Sequence, residues 1–570
     1  MCGIAGILGR NPNNASCIKL MLEAQKHRGP DAISFWNDEK VFFGHNRLSI
    51  IDLSESANQP MVSNCGNYII VFNGEVYNYL EIKKELQSEY HFLTTSDTEV
   101  VLAAYIKWNS KFLDKLNGMF SIAIWNIKEN VFFAARDRFG VKPFYYTFFE
   151  NQLYFSSEIK TLFAAGIPKI QNQKVWANYY SYGTYGLPNE TFFQNINQLM
   201  AGHFFEIKFS HDFISNNFKL QKWYDFPERI SLNNQWSKIA LKQQYEALLI
   251  DAIQLRFRAD VSLGMNVSGG LDSSTLINLV HQYLPSKKSI EAFTFYSNNE
   301  KYDELIWVNE LMKTTPFPSH SVLLDYKAIP ELIQKVSYFQ DEPFGGFPTL
   351  AYSLLFESAR SKGIKVILDG QGMDEAWAGY DYYHNNTNSI IQGLSSSPIR
   401  PDAIDKELLN FSQKELYDTP FDNHLQNIQF RDLFYTKIPR ALRFNDRISM
   451  MHGTELREPF LDYRLVEMAF AQSEDMKLQN GTTKWLLRDL MKMSLSSSIA
   501  LAPKRALQTP QREWISNELK DYFSFKIDLF SNLSFVNKKE VIRLWNDYLQ
   551  GNQDNSFYIW QWVNTVELFT

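Results

Sequence analysis

The chain is organised around residues 261–284, which read Val-Ser-Leu-Gly-Met-Asn-Val-Ser-Gly-Gly-Leu-Asp-Ser-Ser-Thr-Leu-Ile-Asn-Leu-Val-His-Gln-Tyr-Leu. The apolar run 261–267 predicts a strand, and apolar residues at helical spacing predict a helix over 275–284. Gly269 and Gly270 let the backbone between them bend and approach a ligand, while serines add hydroxyls beside the free N–H groups of the first helical turn. Such a loop can bind phosphate oxygens. An ordinary Gly-rich turn is the simpler alternative.

This loop lacks the lysine that a Walker phosphate loop requires and carries Asp272 instead. A carboxylate can face phosphate only with a cation between them, so we expect Mg²⁺ here. Residues 268–273 resemble the pyrophosphate loop of the ATP pyrophosphatases, which cleave ATP between its α and β phosphates to adenylate a substrate. The resemblance implies ATP in contact with Val267, Ser268, Gly269, Gly270, Leu271, Asp272, Ser273 and Ser274.

The composition predicts a chain that is globular throughout. Its 570 residues are too many for one hydrophobic core, and 45% of them are apolar against 21% charged. A net charge of -6 argues against a nucleic-acid partner, which needs concentrated Lys and Arg. No apolar run reaches the roughly 20 residues that span a bilayer, and no secretory pattern begins the chain, so we expect a cytoplasmic protein without a membrane partner. The three cysteines make no disulfide framework.

One of these cysteines, Cys2, directly follows the initiator methionine. A small second residue favours removal of Met1, so we expect the mature chain to begin with a thiol beside a free α-amino group. A terminal amine titrates near pH ~7.7, and part of it is therefore an unprotonated base at neutral pH. Cys2 would then supply nucleophile and base together. A buried cysteine without a catalytic role is the alternative.

Short β-branched and aromatic runs separated by turn signals follow Cys2 and predict antiparallel sheets. Two amphipathic helices, near 17–26 and near 98–109, would cover them. The predicted strands are 3–9, 41–47, 68–74, 119–126, 131–136, 143–148 and 152–156.

Six blocks in this part of the chain are Met-Cys-Gly-Ile-Ala-Gly (1–6), His-Arg-Gly-Pro-Asp (27–31), Gly-His-Asn-Arg-Leu-Ser-Ile (44–50), Phe-Asn-Gly-Glu-Val-Tyr-Asn (72–78), Ser-Asp-Thr-Glu (96–99) and Ala-Arg-Asp-Arg-Phe-Gly-Val-Lys-Pro (135–143). Their order resembles that of class II glutamine amidotransferases of the N-terminal-nucleophile type. The resemblance implies a four-layer αββα glutaminase over residues 1–205, with glutamine as its substrate.

Glutamine hydrolysis gives several residues of these blocks a physical role. Arg47 can hold the substrate α-carboxylate with its planar fork, and Asp97 can pair with the α-ammonium group. The Asn73 side chain and the Gly74 N–H can face the oxyanion of the tetrahedral intermediate. Taken singly, Arg47 could be a surface ion pair, Asp97 a helix cap and Asn73-Gly74 a hairpin turn. The same pocket would be lined by Leu48, Ser49, Ile50, Ile51 and Glu75.

Beyond the glutaminase the pattern changes. Residues 206–235 are loose and rich in Asn and Ser, so we place a connecting segment there, although 204–209 and 221–224 still read as strands. From residue 236 to 570 helices alternate with short apolar strands, which predicts an open, mostly parallel sheet with a helical C-terminal part.

Two strands of this second domain bear on the nucleotide. Strand 291–296 contains Phe295, at an edge where such folds hold adenine and ribose. Strand 365–368 leads into a second Gly-rich turn, Asp-Gly-Gln-Gly-Met-Asp-Glu (369–375). Asp374 is the candidate second Mg²⁺ ligand opposite Asp272, and the ATP site is expected to include Asp369 and Gly370.

Three later blocks are Leu-Arg-Phe-Asn-Asp-Arg-Ile-Ser-Met (442–450), Glu-Leu-Arg-Glu-Pro-Phe-Leu-Asp (455–462) and Lys-Trp-Leu-Leu-Arg (484–488). Behind a class II glutaminase they are similar to the synthetase domain of type B asparagine synthetases, and the likeness covers nearly the whole chain. It implies that Lys484 lies near an acyl-adenylate and pyrophosphate, and that aspartate receives the nitrogen with release of AMP. A solvated helix face is the alternative for Lys484.

Two positions depart from that family. Gln371 replaces an acidic residue that the family uses in forming the β-aspartyl adenylate, and an amide cannot transfer a proton as a carboxylate can. The usual Arg-Pro-Lys-x-Gly-Phe reads Ala-Pro-Lys-Arg-Ala-Leu at 502–507. We keep Gln371 as an acceptor-site residue and leave open a carboxylate on a sugar or peptide precursor.

Two other functional classes follow from the same motifs. A glutaminase feeding a sugar isomerase or a phosphoribosyl transferase is disfavoured, because those enzymes lack the loop 268–273. A non-catalytic homologue would bind glutamine or ATP without turnover. A homodimer is the assembly that we expect.

Overall fold

The computed structural model describes residues 2–209, 218–232, 236–284, 290–384, 397–502, 504 and 508–569. Met1, residues 503 and 505–507 of the altered segment, and residues 210–217 and 233–235 of the expected connection lie outside the described residues. Three sheets are described, two of six strands and one of five.

Two antiparallel sheets form the N-terminal part. Their orders are β10-β8-β9-β1-β3-β2 and β12-β11-β7-β6-β5-β4. The strands are β1 Gly3–Leu8, β2 Ala32–Asn37, β3 Val41–Arg47, β4 Met61–Val62, β5 Tyr68–Val76, β6 Gly118–Asn126, β7 Val131–Arg136, β8 Tyr145–Phe149, β9 Gln152–Ser156, β10 Asn197–Gln198, β11 His203–Lys208 and β12 Lys219–Lys222. The helices are α1 Asn14–Ala24, α2 Tyr79–Leu86, α3 Asp97–Trp108, α4 Phe112–Lys115, α5 Ile159–Ala164 and α6 Gln173–Tyr182.

The two sheets face each other across a buried apolar layer. Ile4 and Phe43 of the first sheet pack in one cluster with Val71 and Trp125 of the second. The outer face of the first sheet packs against α1 and α5, and the outer face of the second against α2 and α3. Because both faces of each sheet are covered, β1 is buried along its whole length. The arrangement confirms the predicted αββα layers.

Three predicted strands, β3, β7 and β9, have the predicted bounds. The edge strand β2 was not predicted, because its apolar residues Ile33 and Phe35 are exposed and no polar–apolar alternation marks a buried face. The short strand β4 and the helix α2 were not predicted either.

The region between the two parts is more ordered than its composition indicates. β11 and β12 extend the second sheet beside β7, and β12 begins two residues before the predicted strand at 221–224. The next helix, α7 (Phe226–Leu232), packs through Phe226 against Phe430 and Phe470. The segment 206–235 thus contacts both parts of the chain, and its division into domains stays a prediction.

The third sheet has the order β15-β14-β13-β16-β17, and every pair in it is parallel. Its strands are β13 Leu263–Asn266, β14 Ile290–Tyr296, β15 Ser319–Leu323, β16 Val366–Leu368 and β17 Glu455–Arg457. The strand order reverses between β13 and β16, and ligands bind at such a switch point in open α/β sheets. Both Gly-rich turns of the sequence follow these two strands.

Helices surround the third sheet and form the C-terminal part, as predicted. None of the described helices is both long and apolar enough to cross a bilayer. After α7 they are α8 Lys238–Arg256, α9 Leu271–Tyr283, α10 Leu305–Met312, α11 Ile329–Gln340, α12 Phe347–Ser361, α13 Met373–Ala376, α14 Lys406–Leu409, α15 His424–Arg431, α16 Ile438–Met450, α17 Tyr463–Phe470, α18 Glu474–Lys477, α19 Trp485–Met491, α20 Ser497–Ala500, α21 Gln511–Ser516, α22 Lys520–Ser531, α23 Lys538–Leu549 and α24 Phe557–Phe569.

Candidate active sites

Cys2 lies directly before β1 and borders a small pocket between β1 and β5. Its backbone nitrogen donates to Asn73 Oδ1 at 2.9 Å, and its Sγ lies 4.0 Å from the Leu48 carbonyl oxygen. Burial raises the pKa of the Cys2 thiol, so the group is protonated and needs a base to become a nucleophile. In a chain that begins at Cys2, the nitrogen held by Asn73 is the α-amine.

Asn73 and Gly74 lie inside β5, so the hairpin-turn alternative is wrong. Gly74 is opposite Phe120 of β6, and a Cβ on Gly74 would lie 2.1 Å from the Met119 carbonyl oxygen. Only glycine allows this close approach of the two strands. Asn73 Nδ2 is buried without a hydrogen-bond partner among the described residues. A buried free amide donor is the group that an oxyanion requires.

Arg47 borders the same pocket and is nearly buried. Its Nη1 donates to the Ser54 carbonyl at 2.6 Å and to Asn58 Oδ1 at 2.8 Å, while Nη2 donates to the Asp52 carbonyl. These acceptors fix the guanidinium through neutral groups and leave its positive charge without a carboxylate partner in the described residues. The surface-ion-pair alternative for Arg47 is therefore wrong.

Two carboxyl groups line the same pocket as Arg47. Asp97 begins α3, and its Oδ2 accepts from the Val76 N–H at 3.0 Å; the N-cap is Ser96, so the capping alternative for Asp97 is wrong. Burial raises the pKa of Asp97 to about 6. Burial, together with the charges of Glu455 and Asp97, also raises the pKa of Glu75 well above its usual value. A bound cation would stabilise the ionised form of these groups.

The segment after Arg47 serves two purposes. Leu48, Ile50 and Ile51 line the pocket and also pack in the apolar core of the C-terminal part. Ser49 does not line this pocket; its N–H donates to Asp31 Oδ2 at 2.7 Å.

The loop after β13 folds around its serines. Ser273 Oγ donates to the Ser268 carbonyl at 2.8 Å and accepts from the Ser268 N–H at 3.1 Å, which closes the turn. Gly270 is the N-cap of α9. The Leu271 side chain packs in the core and the Ser274 hydroxyl is buried, so each offers a ligand only its backbone.

A pocket borders this loop and is lined by five of the eleven residues predicted to bind the nucleotide. Its lining includes Val267, Ser268 and Ser273 with Phe295 and Asp369. Burial raises the pKa of Asp369 to about 6, and its Oδ2 has no hydrogen-bond partner among the described residues. Gly370 lies against the first turn of α9, where a Cβ on it would be 3.2 Å from Asp272 Cβ.

Asp272 and Asp374 face each other across Lys484, which is almost fully buried. Lys484 Nζ lies 2.7 and 2.6 Å from the two Asp272 carboxylate oxygens and 2.6 Å from Asp374 Oδ1. Burial alone would raise the pKa of Asp374, but Lys484 and then Lys504 lower it. The alternative of a solvated helix face is wrong for Lys484, which precedes α19 with a left-handed φ of 51°.

The donors around Lys484 fit a divalent cation. Two carboxylates from different loops converge on one positive charge, and Mg²⁺ prefers oxygen donors of this kind. Asp374 Oδ1 is buried and lacks a hydrogen bond of normal geometry in the described residues. Asp272 and Asp374 are therefore the residues that would hold Mg²⁺ beside bound phosphates, where it would neutralise phosphate charge.

Gln371 lies in the wall of a much larger cavity of about 850 Å³ that begins beside this centre. Glu375, one turn further on, lines it too, and burial followed by the charge of Asp374 raises the pKa of Glu375 to about 7. The Tyr380 hydroxyl donates to Glu375 Oε1 at 2.7 Å. A carboxyl group with a pKa near 7 thus lies in the same cavity wall as the Gln371 amide.

Comparison with known proteins assigns both halves of the chain. A family model described as a glutamine amidotransferase domain matches residues 1–223, and one described as asparagine synthase matches residues 244–569. The chain belongs to the asparagine synthase family. It is therefore an enzyme whose two domains support glutamine-dependent amidation driven by ATP.

Relatives in this family carry different names. An asparagine synthetase of Bacillus subtilis, named as glutamine-hydrolysing, is 28% identical over 98% of this chain and 95% of its own length. A putative asparagine synthetase of Methanocaldococcus jannaschii is 35% identical over 67% of this chain and 76% of its own. An amidase of Penicillium rubens is 26% identical over 90% and 89%.

In this asparagine synthase family member the two sites meet at β17. Arg457 Nη2 lies 3.6 Å from Glu75 Oε2 of the glutaminase pocket, and its Nε donates to Glu455 Oε1 at 2.5 Å. The Arg457 carbonyl accepts from the Asp369 N–H at 2.9 Å. One residue therefore contacts both pockets.

Several residues of the synthetase site were not found by sequence reasoning. Tyr302, Glu304 and Tyr352 line the nucleotide pocket, although they lie on segments far from either Gly-rich turn. Lys504 pairs with Asp374, and its Nζ lies 3.9 Å from the Tyr380 ring centroid. Only Lys504 had a signal in the sequence, as the lysine kept within the altered segment 502–507.

Proposed function

We propose that the enzyme hydrolyses glutamine at Cys2 and transfers the ammonia to a carboxylate that ATP activates as an acyl-adenylate. One observation carries the first half: the Cys2 nitrogen is bound to Asn73 Oδ1 at 2.9 Å while Asn73 Nδ2 is buried and unpartnered. The α-amine takes the thiol proton, and the thiolate attacks the glutamine amide. Asn73 and the Gly74 N–H stabilise the oxyanion of the tetrahedral intermediate. The C–N bond then breaks, the α-ammonium group returns the proton to the nitrogen, and ammonia leaves the thioester. Water attacks the thioester and releases glutamate as the Cys2 thiol forms again.

Substrate selection in the first pocket follows from its charges. The Arg47 guanidinium binds the α-carboxylate of glutamine, and Asp97, assisted by Glu75, binds the α-ammonium group. The raised pKa of both carboxyl groups supports this assignment. Burial disfavours their ionised forms, and the positive charge of a bound ammonium group would stabilise those forms. Together they favour a free amino acid over a peptide.

In the second site the phosphates of ATP lie on the loop 267–274 and the first turn of α9. Lys484 lies where it can stabilise charge on the pentavalent phosphorus and on leaving pyrophosphate. The acceptor carboxylate forms a bond to the α-phosphorus as pyrophosphate departs. Ammonia then attacks the acyl carbon, and AMP leaves with the oxygen that came from the carboxylate. Asp272 and Asp374 would hold Mg²⁺, which would neutralise charge on the phosphates.

Aspartate, giving asparagine, is the first candidate acceptor, because relatives in the family are named asparagine synthetases. The second candidate is a larger carboxylic acid, which Gln371 and the 850 Å³ cavity favour. Purified full-length enzyme with glutamine, ATP, Mg²⁺ and each acceptor decides between them by AMP release and by mass spectrometry of the amide. ADP in place of AMP, or Met1 still attached in active enzyme, would contradict the proposal.

We also propose an enclosed passage for ammonia between the sites, since free ammonia would be protonated or lost in solvent. Ammonia trapping by added glutamate dehydrogenase at full coupled flux would exclude it. A cytoplasmic homodimer is the remaining part of the proposal, and light scattering of the purified enzyme tests the dimer.

A further inference from the structure

The 850 Å³ cavity is far larger than a free amino acid needs. Pockets of roughly 300–1,000 Å³ bind drug-sized ligands, and this one lies near the upper limit. At one end Tyr302, Tyr352 and Gln508 belong both to this cavity and to the nucleotide pocket. At the other end Tyr185 and Arg440 also line a separate cavity of about 50 Å³. The cavity therefore joins the nucleotide pocket to residues at the start of α16.

The start of α16 carries two cations that have no ion-pair partner among the described residues. Lys437 and Arg440 line the cavity and have no carboxylate partner within ion-pair distance among the described residues, whereas Arg443 on the same helix pairs with Glu342 at 2.9 Å. Both lie over aromatic rings: Lys437 Nζ is 4.8 Å from the Tyr380 centroid and Arg440 Cζ is 5.6 Å from that of Tyr185. The carboxylates of Asp432 and Glu375 act on Lys437 only from beyond ion-pair distance.

The position of these cations in the fold is unfavourable without a ligand. Lys437 is the N-cap of α16 and Arg440 lies in its first turn, where the helix dipole favours negative charge. Burial, and then the charge of Arg440, lower the pKa of Lys437 to about 8. An anion bound between the two side chains would offset the unfavourable helix dipole and would raise the pKa of Lys437 again.

The lining of the same cavity suits a ligand rich in hydroxyl groups. Thr349, Asn445 and Thr509 offer neutral hydrogen-bonding groups, and Asn555 Nδ2 is buried without a partner among the described residues. Aromatic rings alternate with them and supply flat apolar faces, at Tyr380, Phe444, Phe557 and Trp560. Polar groups fixed among aromatic rings select and orient a polyhydroxylated ring.

We propose that the acceptor is a uronic acid carrying a phosphate group, whose carboxylate reaches Gln371 and whose phosphate is bound by Lys437 and Arg440. The inference rests on the proposed function, since it names the acceptor of the same ATP-dependent step. The phosphate is that of a sugar phosphate or of a nucleotide-linked sugar, and both present the same anion to the two cations.

The test uses the full-length enzyme with ATP, Mg²⁺ and ammonium chloride. The acceptors are galacturonic acid 1-phosphate, UDP-galacturonic acid, unphosphorylated galacturonic acid and aspartate, and AMP release is measured. We expect AMP release with a phosphorylated acid and little with the other two. Comparison of the two phosphorylated acids distinguishes the sources of the anion.

The variants Lys437→Gln and Arg440→Gln locate the site. Loss of one charged hydrogen bond to phosphate should raise KM for the phosphorylated acid by about tenfold or more, with KM for ATP and glutamine hydrolysis unchanged. Lys327→Gln, which removes an exposed lysine that is not part of the cavity lining, is the matched control and should leave every constant unchanged.

Each outcome separates this inference from the proposed function. AMP release with aspartate but not with a phosphorylated acid, or an unchanged KM in both variants, overturns the inference and leaves the proposed function standing. The phosphorylated acids are also tested by thermal shift without ATP. Binding that both variants weaken, with no AMP release from any acceptor, supports the site and refutes the proposed function. No binding and no turnover of either phosphorylated acid overturns the inference.

Discussion

The Asn73→Asp variant isolates one hydrogen-bond donor of the glutaminase site. It keeps an oxygen that can accept from the Cys2 nitrogen at the present 2.9 Å, but it removes the buried Nδ2 donor that has no other partner among the described residues. The Gly74 N–H stays in place as the second donor. Removal of one oxyanion donor of two costs roughly 2.7–4 kcal/mol in the transition state, so kcat for glutamine should fall by about 10²–10³-fold.

Glutamate release by the purified full-length enzyme measures this effect, and AMP release with ammonium chloride as nitrogen donor measures the second site independently. Ammonium-dependent AMP release should stay at the wild-type level. Asn126→Asp is a matched control, because Asn126 is also buried on the same sheet and its Oδ1 accepts from the Glu129 N–H at 3.1 Å outside the pocket. Loss of one oxyanion donor should cost far more than threefold in kcat, so a glutaminase kcat within about threefold of wild type would refute the oxyanion role of Asn73. An equal loss of ammonium-dependent AMP release would mean general damage.

Three further expectations follow from the same geometry. Cys2→Ala should lower glutamine-dependent AMP release by more than about 10³-fold yet leave ammonium-dependent release intact, and loss of both would contradict the separation of roles. The Asp97 carboxyl group has a pKa of about 6, so below that pH it is protonated and cannot pair with the substrate ammonium group. We therefore expect kcat/KM for glutamine to fall as the pH drops through about 6. Asp97→Asn should remove this acidic decrease from the pH profile. Lys484→Met leaves Asp272 without its ammonium partner while Lys504 still pairs with Asp374, so it should abolish AMP release with a loss of up to about 3–5 kcal/mol in unfolding free energy. Calorimetry should show that MgCl2 raises the Tm of this variant more than that of wild type, and equal shifts would count against a Mg²⁺ site between the two carboxylates.

The strands whose residues are buried on both faces were predictable from sequence. β3, β7 and β9 are short apolar runs bounded by turn residues, and the structure keeps those bounds. The half-exposed β2 escaped prediction because Ile33 and Phe35 point outward at an edge. When the apolar residues of a strand face solvent, their pattern does not show which face of the strand packs on the core.

The candidate sites divide in the same way. Residues of contiguous motifs, such as Ser268 and Asp272, can be proposed from sequence because their expected chemistry is local to one loop. Tyr302 and Tyr352 could not, because they reach the nucleotide pocket from separate segments and only tertiary packing brings them there. The ion pair of Lys484 with Asp374 likewise depends on two loops more than 100 residues apart meeting in the fold.

Arg457 connects the two sites through its backbone as well as its side chain. Arg457 holds the carbonyl oxygens of Arg256 and Arg258 through Nη1 at 2.7 and 2.8 Å, so its side chain cannot move alone. Its own carbonyl binds the Asp369 N–H, and its Nη2 lies beside Glu75. Under the proposed function, glutamine bound in the first pocket changes the charge around Glu75 and therefore the electrostatic field at Arg457. The Arg457 carbonyl oxygen accepts from the Asp369 N–H at the start of the second Gly-rich turn, so we expect the two pockets to be electrostatically coupled through this residue of β17.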